Sequence, residues 1–323
     1  MTTAADFAPA LPELHAPAHR HGWWWKMLLG GAALWAVTAV VTVLTRNTNL
    51  IPTIILLGSF LVPLTVVLFA AERVPGNLTA TGLMLAFFLG GIFGVLGASL
   101  LEVELSRSLG GLVGVGFIEE FVKAVILIAV GWQARPKTGY QGALLGATVG
   151  AGFAAFESAG YAFNAAVSSQ GIDLISLLQT ELLRAVLTPI GHVLWTAIFG
   201  AALFAASRAA RHYRLTITVA VAYVVVAVLH ALWDSMSGLS LLIALLVSGV
   251  DPNQQYVTPA AANEVGAISS IGYVVGLAII TLIGILVLRV WGRRGRPAKG
   301  SIPVAAPAGP DAVALPLGDG RQG

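Results

Sequence analysis

Long apolar stretches separated by short polar segments dominate the chain from residue 24 to residue 291. Stretches of about 20 residues with few charges are typical of membrane-spanning helices. The pattern predicts eight spans, at 24–44, 50–71, 79–101, 112–132, 142–167, 186–207, 215–236 and 266–291. A further apolar run at 239–250 is short for a crossing and predicts an interfacial or re-entrant segment. The predicted fold is therefore an all-α polytopic membrane helix bundle.

The two ends of the chain differ from this pattern. Residues 1–22 are rich in Pro, Ala and His, and residues 292–323 are first basic and then rich in Pro, Ala and Gly. Such segments bury too little apolar surface to fold, so we expect both to be disordered. One membrane domain, 23–291, remains between them. Its first apolar run has no small-residue cleavage site at its end, which favours a retained signal-anchor helix.

Composition narrows the functional classes. Hydrophobic residues make up 57% of the chain and charged residues 10%, against about 25% charged residues in soluble domains. The net charge of +3 is small and resides in the loops, so it bears on membrane orientation and does not indicate a nucleic-acid partner. The chain has no cysteine, which excludes disulfides, thiolate metal ligands and a cysteine nucleophile.

The distribution of Lys and Arg predicts the orientation. Cytoplasmic loops of membrane proteins carry an excess of these residues. With eight spans and both termini in the cytoplasm, only Arg46, Arg107 and Arg184 fall in outer segments, while Lys123 lies inside a span. We therefore expect a multi-pass protein of the cell membrane with cytoplasmic N- and C-termini.

Ionisable side chains within the spans are the unusual feature of the sequence. Apart from Lys26 and Arg289, which we count with the cytoplasmic segments at the ends of their spans, there are seven, namely Glu119, Glu120, Lys123, Glu157, His192, His230 and Asp234. A charged side chain at the bilayer centre costs about 2.5–3.5 kcal/mol on insertion scales, so such residues usually pair with one another or serve a function. Four helices carry them at similar predicted depth in the outer half of the bilayer, which favours a shared site.

Helical spacing predicts how they pair. Glu119 and Lys123 are four residues apart and share a helix face, and Glu120 is also within reach of Lys123. His230 and Asp234 are likewise four apart, so the carboxylate can orient the imidazole or share a metal ion with it. Two polar stripes complete the set, one of Glu157, Tyr161 and Asn164, the other of Arg184, Thr188, His192 and Thr196.

Carboxylates beside histidines suit the activation of water, by either of two schemes. Without a metal, a glutamate is the general base and a histidine stabilises the oxyanion. With zinc or another divalent cation, the ion lowers the pKa of its bound water. The candidate ligands for that ion are Glu120, Glu157, His192, His230 and Asp234. The HExxH and GxSxG motifs are absent from the sequence, and the two schemes stay open.

Four motifs in order carry a family resemblance. They are Glu119-Glu120-Phe121-Val122-Lys123, the FxxxE segment from Phe153 to Glu157, the segment 184–200 with His192, and the HxxxD segment from His230 to Asp234. In these motifs the chain resembles the PrsW family of intramembrane proteases, which is related to type II CaaX prenyl endopeptidases and bacteriocin-immunity membrane proteins. The motif-bearing core covers about 80–240. Lys123 and Glu157 fit PrsW better than the CaaX branch, where arginine and histidine are usual.

The resemblance implies hydrolysis of a peptide bond in a membrane-anchored protein, for which the family's best-known example is an anti-sigma factor cut from the extracytoplasmic side. It implies a catalytic set of Glu119, Glu120, Glu157, His192, His230 and Asp234, with Lys123, Tyr161 and Arg184 in support. Two alternatives are a proton-coupled transporter or channel that uses the acids as a relay, and a membrane scaffold without catalysis.

Overall fold

The computed structural model describes residues 22–74, 77–105, 111–168, 171–208, 210, 212–251 and 257–293. The disorder predicted for residues 1–22 and 292–323 lies outside this part of the chain except at residues 22, 292 and 293, and residues 292 and 293 belong to the last helix instead. The α-helices are α1 Trp23–Thr45, α2 Ile51–Ala71, α3 Ala80–Leu105, α4 Leu112–Val130, α5 Gly139–Ala166, α6 Leu174–Leu187, α7 His192–Ala206, α8 Ile217–Ser248 and α9 Pro259–Arg293. The strands β1 Val167–Ser168 and β2 Gly171–Ile172 pair antiparallel between α5 and α6.

Within the described residues, seven helical stretches are long and apolar enough to cross a membrane. Helix α4 is not among them because its 19 residues include Glu119, Glu120 and Lys123. All three side chains are buried within the bundle. The predicted class, a polytopic membrane helix bundle, is confirmed.

Helix α5 lies at the centre of the bundle, and its glycines allow close packing. A Cβ atom at Gly152 would lie 3.0 Å from the backbone nitrogen of Gly91 in α3. At Gly150 it would lie 2.9 Å from Thr196 Oγ1 in α7. Small residues let helix backbones approach in membranes. By contrast, the most apolar windows of α1 and α9 are only 11% and 17% buried, so these two helices offer most of their surface to lipid.

The region around α6 and α7 differs from the predicted span 186–207. Residues 174–187 form a helix of their own, capped at its start by Asp173, whose side chain accepts a hydrogen bond from the Ser176 amide at 3.0 Å. That hydrogen bond lowers the pKa of the Asp173 carboxyl. A short 3-10 turn, Thr188–Ile190, and Gly191 then separate α6 from α7. The proline at 189 and this glycine interrupt the helix, so the predicted span 186–207 is not one continuous α-helix.

The C-terminal part of the bundle also differs from the sequence pattern. The run 239–250, predicted as a separate short segment, continues α8 to Ser248. This helix has 32 residues, hence about 48 Å of length, which exceeds the hydrocarbon core of about 30 Å. Helix α9 begins at Pro259, so it includes the second half of segment 251–265, which lies between the apolar run 239–250 and the predicted span 266–291.

Candidate active site

Four helices bring the intramembrane ionisable residues together. Helix α4 contributes Glu119, Glu120 and Lys123, and α5 contributes Glu157. Helix α7 begins with His192, and α8 carries His230 and Asp234. Helices α4 and α8 approach closely because position 116 is a glycine, where a Cβ atom would lie 2.8 Å from the backbone nitrogen of Ala231. That approach sets the glutamate pair of α4 against the imidazole of α8.

Lys123 is the centre of the cluster, and it is fully buried. Its ammonium nitrogen donates to Glu119 Oε2 at 3.0 Å and to Glu120 Oε1 at 2.9 Å, which confirms the pairing predicted from spacing. The same nitrogen lies 2.9 Å from His192 Nδ1 and 3.9 Å from the centre of the Phe153 ring. Because an ammonium group only donates, Nδ1 of His192 accepts.

His192 completes this chain of contacts on its other side. Its Nε2 lies 3.0 Å from Glu157 Oε2. With Nδ1 accepting from Lys123, the proton of the neutral ring is on Nε2 and donates to Glu157. Gly150 has no side chain, and this lets the backbone of His192 lie against α5. The first residue of α7 is therefore held by both α4 and α5.

His230 has a different environment. Its Nδ1 lies 3.1 Å from Glu120 Oε1, and its ring stacks on Trp195 with centroids 4.4 Å apart. The carboxylate accepts the Nδ1 proton, so the neutral ring directs a bare Nε2 towards Asp234 Oδ2 at 3.3 Å and Glu119 Oε2 at 3.7 Å. Three acceptors then face one another, which is stable only with a cation or a proton among them.

Arg184 joins the cluster from α6. Its guanidinium pairs with Glu157, and its Nε donates to Ser158 Oγ at 2.7 Å. It also lies 4.6 Å from the centre of the Tyr161 ring. The predicted supporting residues therefore contact the site, although the helix break at Gly191 means that Arg184 and His192 do not share one helical stripe.

The donor set of Glu119, His192 and His230 fits a divalent metal ion. Their ligand atoms lie within 4.8 Å of one another. Glu119 Oε2 is 3.8 Å from His192 Nδ1 and 3.7 Å from His230 Nε2, whereas ligands of a tetrahedral zinc ion lie about 3.4 Å apart. Binding of the ion would require these atoms to move closer together and Lys123 to withdraw from Glu119 Oε2 and His192 Nδ1, both of which it now contacts. This group contains two of the predicted ligands, His192 and His230, together with Glu119. The other predicted ligands, Glu120, Glu157 and Asp234, stay predictions.

A cavity of about 490 Å³ opens beside the cluster. Its walls come from α3, α4, α5 and α8, and they include Glu119, Glu157, Asp234 and Tyr161. Glu120 is not part of the wall and lies behind Glu119, where it bonds Lys123 and His230. The two adjacent glutamates therefore differ in access, because only Glu119 can contact a molecule in the cavity.

One further acid in this wall, Glu102 of α3, is absent from the residues that the sequence singled out. The predicted third span ends at 101, so Glu102 falls in a loop by hydropathy alone. The available signal was helical spacing, since Val95, Ala98 and Glu102 lie on one face and all three line the cavity.

A helix bundle that buries carboxylates and two histidines beside a cavity has the features of a membrane-embedded hydrolase. The chain matches the family described as PrsW family intramembrane metalloprotease over residues 22–257, and it belongs to this family. It is therefore a multi-pass membrane protein and an intramembrane endopeptidase. Comparison with curated proteins gave no significant match, and comparison with solved structures gave none.

Proposed function

We propose that the cluster around Glu119, His192 and His230 hydrolyses a peptide bond of a membrane-anchored protein that occupies the adjacent cavity. The observation that supports this most is the convergence of one carboxylate and two imidazoles from three helices, with ligand atoms within 4.8 Å, beside a cavity of about 490 Å³. A cavity of this size accommodates a short extended peptide segment better than a folded domain.

A divalent cation such as zinc, when bound by Glu119, His192 and His230, supplies a polarising charge and a water of lowered pKa. Glu120 accepts a hydrogen bond from Nδ1–H of His230 and so presents Nε2, which is the usual role of a carboxylate behind a metal-binding histidine. Lys123 neutralises the glutamate pair of α4. Arg184 holds Glu157 against His192.

The two schemes for activating water differ in the carboxylate that takes the proton. In a metal-free site, Glu119 is the general base, because it is the member of the glutamate pair that lines the cavity. In a metal-loaded site Glu119 is a ligand, and Asp234 takes the proton, since it lines the cavity beside His230 Nε2. In the metal-loaded scheme, His230 and His192 hold the cation. In the metal-free scheme, a proton on Nε2 of His230 lets its imidazolium donate to the developing oxyanion.

The test of the proposal is cleavage of a single-span reporter by purified protein. Glu119→Gln should lower the rate at least about 100-fold, the range for loss of a general base or a metal ligand. Glu264→Gln is the matched control, because this glutamate is exposed at the start of α9 and lies outside the cluster. Cleavage that survives Glu119→Gln at the wild-type rate would contradict the proposal.

We further propose that the substrate is cut from the extracytoplasmic side, as an anti-sigma factor would be, and that both termini are cytoplasmic. The excess of Lys and Arg in the predicted inner segments supports this orientation. Because the chain has no cysteine, Val257→Cys introduces a unique label site before α9. An impermeant thiol reagent should modify it from outside in intact cells. Modification that requires permeabilised cells would contradict the orientation.

A further inference from the structure

Glu102 is the acid in the cavity wall whose charge is least compensated. Within the described residues, Glu119 pairs with Lys123, Glu157 pairs with Arg184, and Asp234 contacts His230. For Glu102 the same part of the chain supplies no hydrogen bond and no ion pair. The charges of Glu157, Asp234, His230 and Lys123 all act on it from a distance. The neighbouring acids thus contact basic groups of the protein, whereas Glu102 contacts none within the described residues.

Glu102 lies on the face of α3 that lines the cavity, three residues before Leu105, the last residue of this helix that the structure describes. A carboxylate that lies in the cavity wall, and that has no partner among the described residues, has its natural partner in the ligand of that cavity.

Within the described residues, the cavity wall has no basic side chain. Lys123 is fully buried behind the wall, and Arg184 pairs with Glu157 without lining the cavity. A cation bound by Glu119, His192 and His230 would contact Glu119 and not Glu102, which is outside this group of ligands. In either scheme, Glu102 therefore presents a carboxyl group to the cavity without a direct counter-charge among the described residues.

We propose that Glu102 determines specificity by binding a lysine or arginine side chain of the substrate, placed a few residues from the bond that is cut. This rests on the proposed function of the adjacent cluster. It makes the substrate class a membrane-anchored segment with a basic residue near the cleavage position. Glu102 is not a catalytic residue in this proposal, because it contacts the substrate away from the reacting atoms.

The experiment uses the full chain in detergent and a set of single-span reporters. Each reporter has one lysine, or glutamine in its place, at one of about four positions on either side of the cut. The lysine form should have a kcat/KM about tenfold higher at one or two positions, since a tenfold factor is about 1.4 kcal/mol, near the value of a hydrogen bond to a charged group. Glu102→Gln should abolish this preference, and Glu102→Lys should reverse it in favour of a glutamate-containing reporter.

Ser99→Ala is the matched control, because Ser99 lies one turn earlier on the same face and also lines the cavity. It should leave the preference intact. A preference that survives both Glu102 variants, or a wild-type protein without any preference, would overturn the proposal. A binding measurement distinguishes the failure of this proposal from the failure of the proposed function. It compares the affinities of the lysine and glutamine peptides for the wild-type protein and for Glu102→Gln. If no reporter is cut but Glu102→Gln still abolishes the binding preference, only the proposed hydrolysis by the cluster fails.

Discussion

The bundle buries carboxyl groups in two regions, which differ in the number of basic groups that contact them. In the active-site cluster, three glutamates share Lys123, Arg184 and two imidazoles. Between α1, α2 and α6, Glu181 is 3% exposed, and its one hydrogen bond within the described residues is from Trp35 Nε1 to Oε2, at 2.6 Å. Its Oε1 has no partner there, and Gly58 supplies the space for the carboxyl group.

The two regions differ in charge compensation, which is the difference we expect between a reactive carboxylate and a structural one. A carboxyl that is buried without a cation is more stable uncharged, because desolvating the ion costs several kcal/mol. The cluster lowers this cost by surrounding its glutamates with basic groups, which favour the ionised form that can bind a metal or accept a proton. Glu181 lacks such groups and can only fasten α6 to α1.

The largest effect is expected for His230→Ala. It removes the imidazole that links Glu120, Asp234 and Glu119, and we expect reporter cleavage to fall at least about 100-fold, as for loss of a catalytic acid–base group. His212→Ala is the control, because this histidine is outside the cluster, beside Trp132. Equal loss in both variants would indicate a general defect in folding and would contradict a special role for His230.

Lys123→Met should mainly destabilise the fold. Removing one partner of a buried ion pair typically costs about 3–5 kcal/mol, since the other charge is left uncompensated. Denaturation should be followed in metal-free buffer, where no added cation can replace the ammonium group. The double variant with Glu120→Gln should recover part of the loss. If Lys123→Met alone is as stable as wild type, Glu119 and Glu120 are not ionised. That result would contradict the difference in charge compensation between the cluster and Glu181.

Arg184→Gln should have an intermediate effect on activity. Glu157 keeps its contact with His192 but loses its guanidinium partner, so we expect kcat to fall about tenfold, which is about 1.4 kcal/mol. Arg214→Gln, on the segment before α8, serves as the control for loss of a basic side chain. A rate that does not change in Arg184→Gln would place Arg184 outside the working site.

The smallest effect is expected for Glu181→Gln. An amide is uncharged and nearly isosteric with a neutral carboxyl, and it can still accept from Trp35 Nε1. Thermal denaturation and cleavage should therefore change little, by less than about 1 kcal/mol in stability. A large loss of stability or of cleavage activity would show that Glu181 carries a charge. The two regions would then not differ in how they compensate buried carboxyl groups.

Helical spacing was sufficient for contacts within one helix. The pairing of Glu119 with Lys123, and that of His230 with Asp234, follows from the rule that residues four apart share a face. Contacts between helices were not accessible in this way, since the Trp35–Glu181 pair joins residues far apart in the chain. Hydropathy also failed to predict α6 as a helix of its own. Its leucines are interspersed with polar and charged residues, so most of it fell between two predicted spans.

The roles of the two adjacent glutamates could not be read from the motif. Neighbouring positions on a helix point about 100° apart, and which of them faces the cavity depends on how α4 is rotated against α8. The structure places Glu119 in the cavity wall and Glu120 against His230. Family resemblance supplied the set of residues, and packing distinguished their access.

The most direct test of the proposed site combines metal content with cleavage in one preparation. Wild-type protein should bind about one divalent cation per chain, lose cleavage on chelation and regain it on readdition, because the three ligand atoms of the cluster suffice for a zinc site. His192→Ala should lose the cation and the activity together, while His212→Ala keeps both. Full-rate cleavage by metal-free wild type would contradict the metal site, and full-rate cleavage by His192→Ala would contradict the site itself.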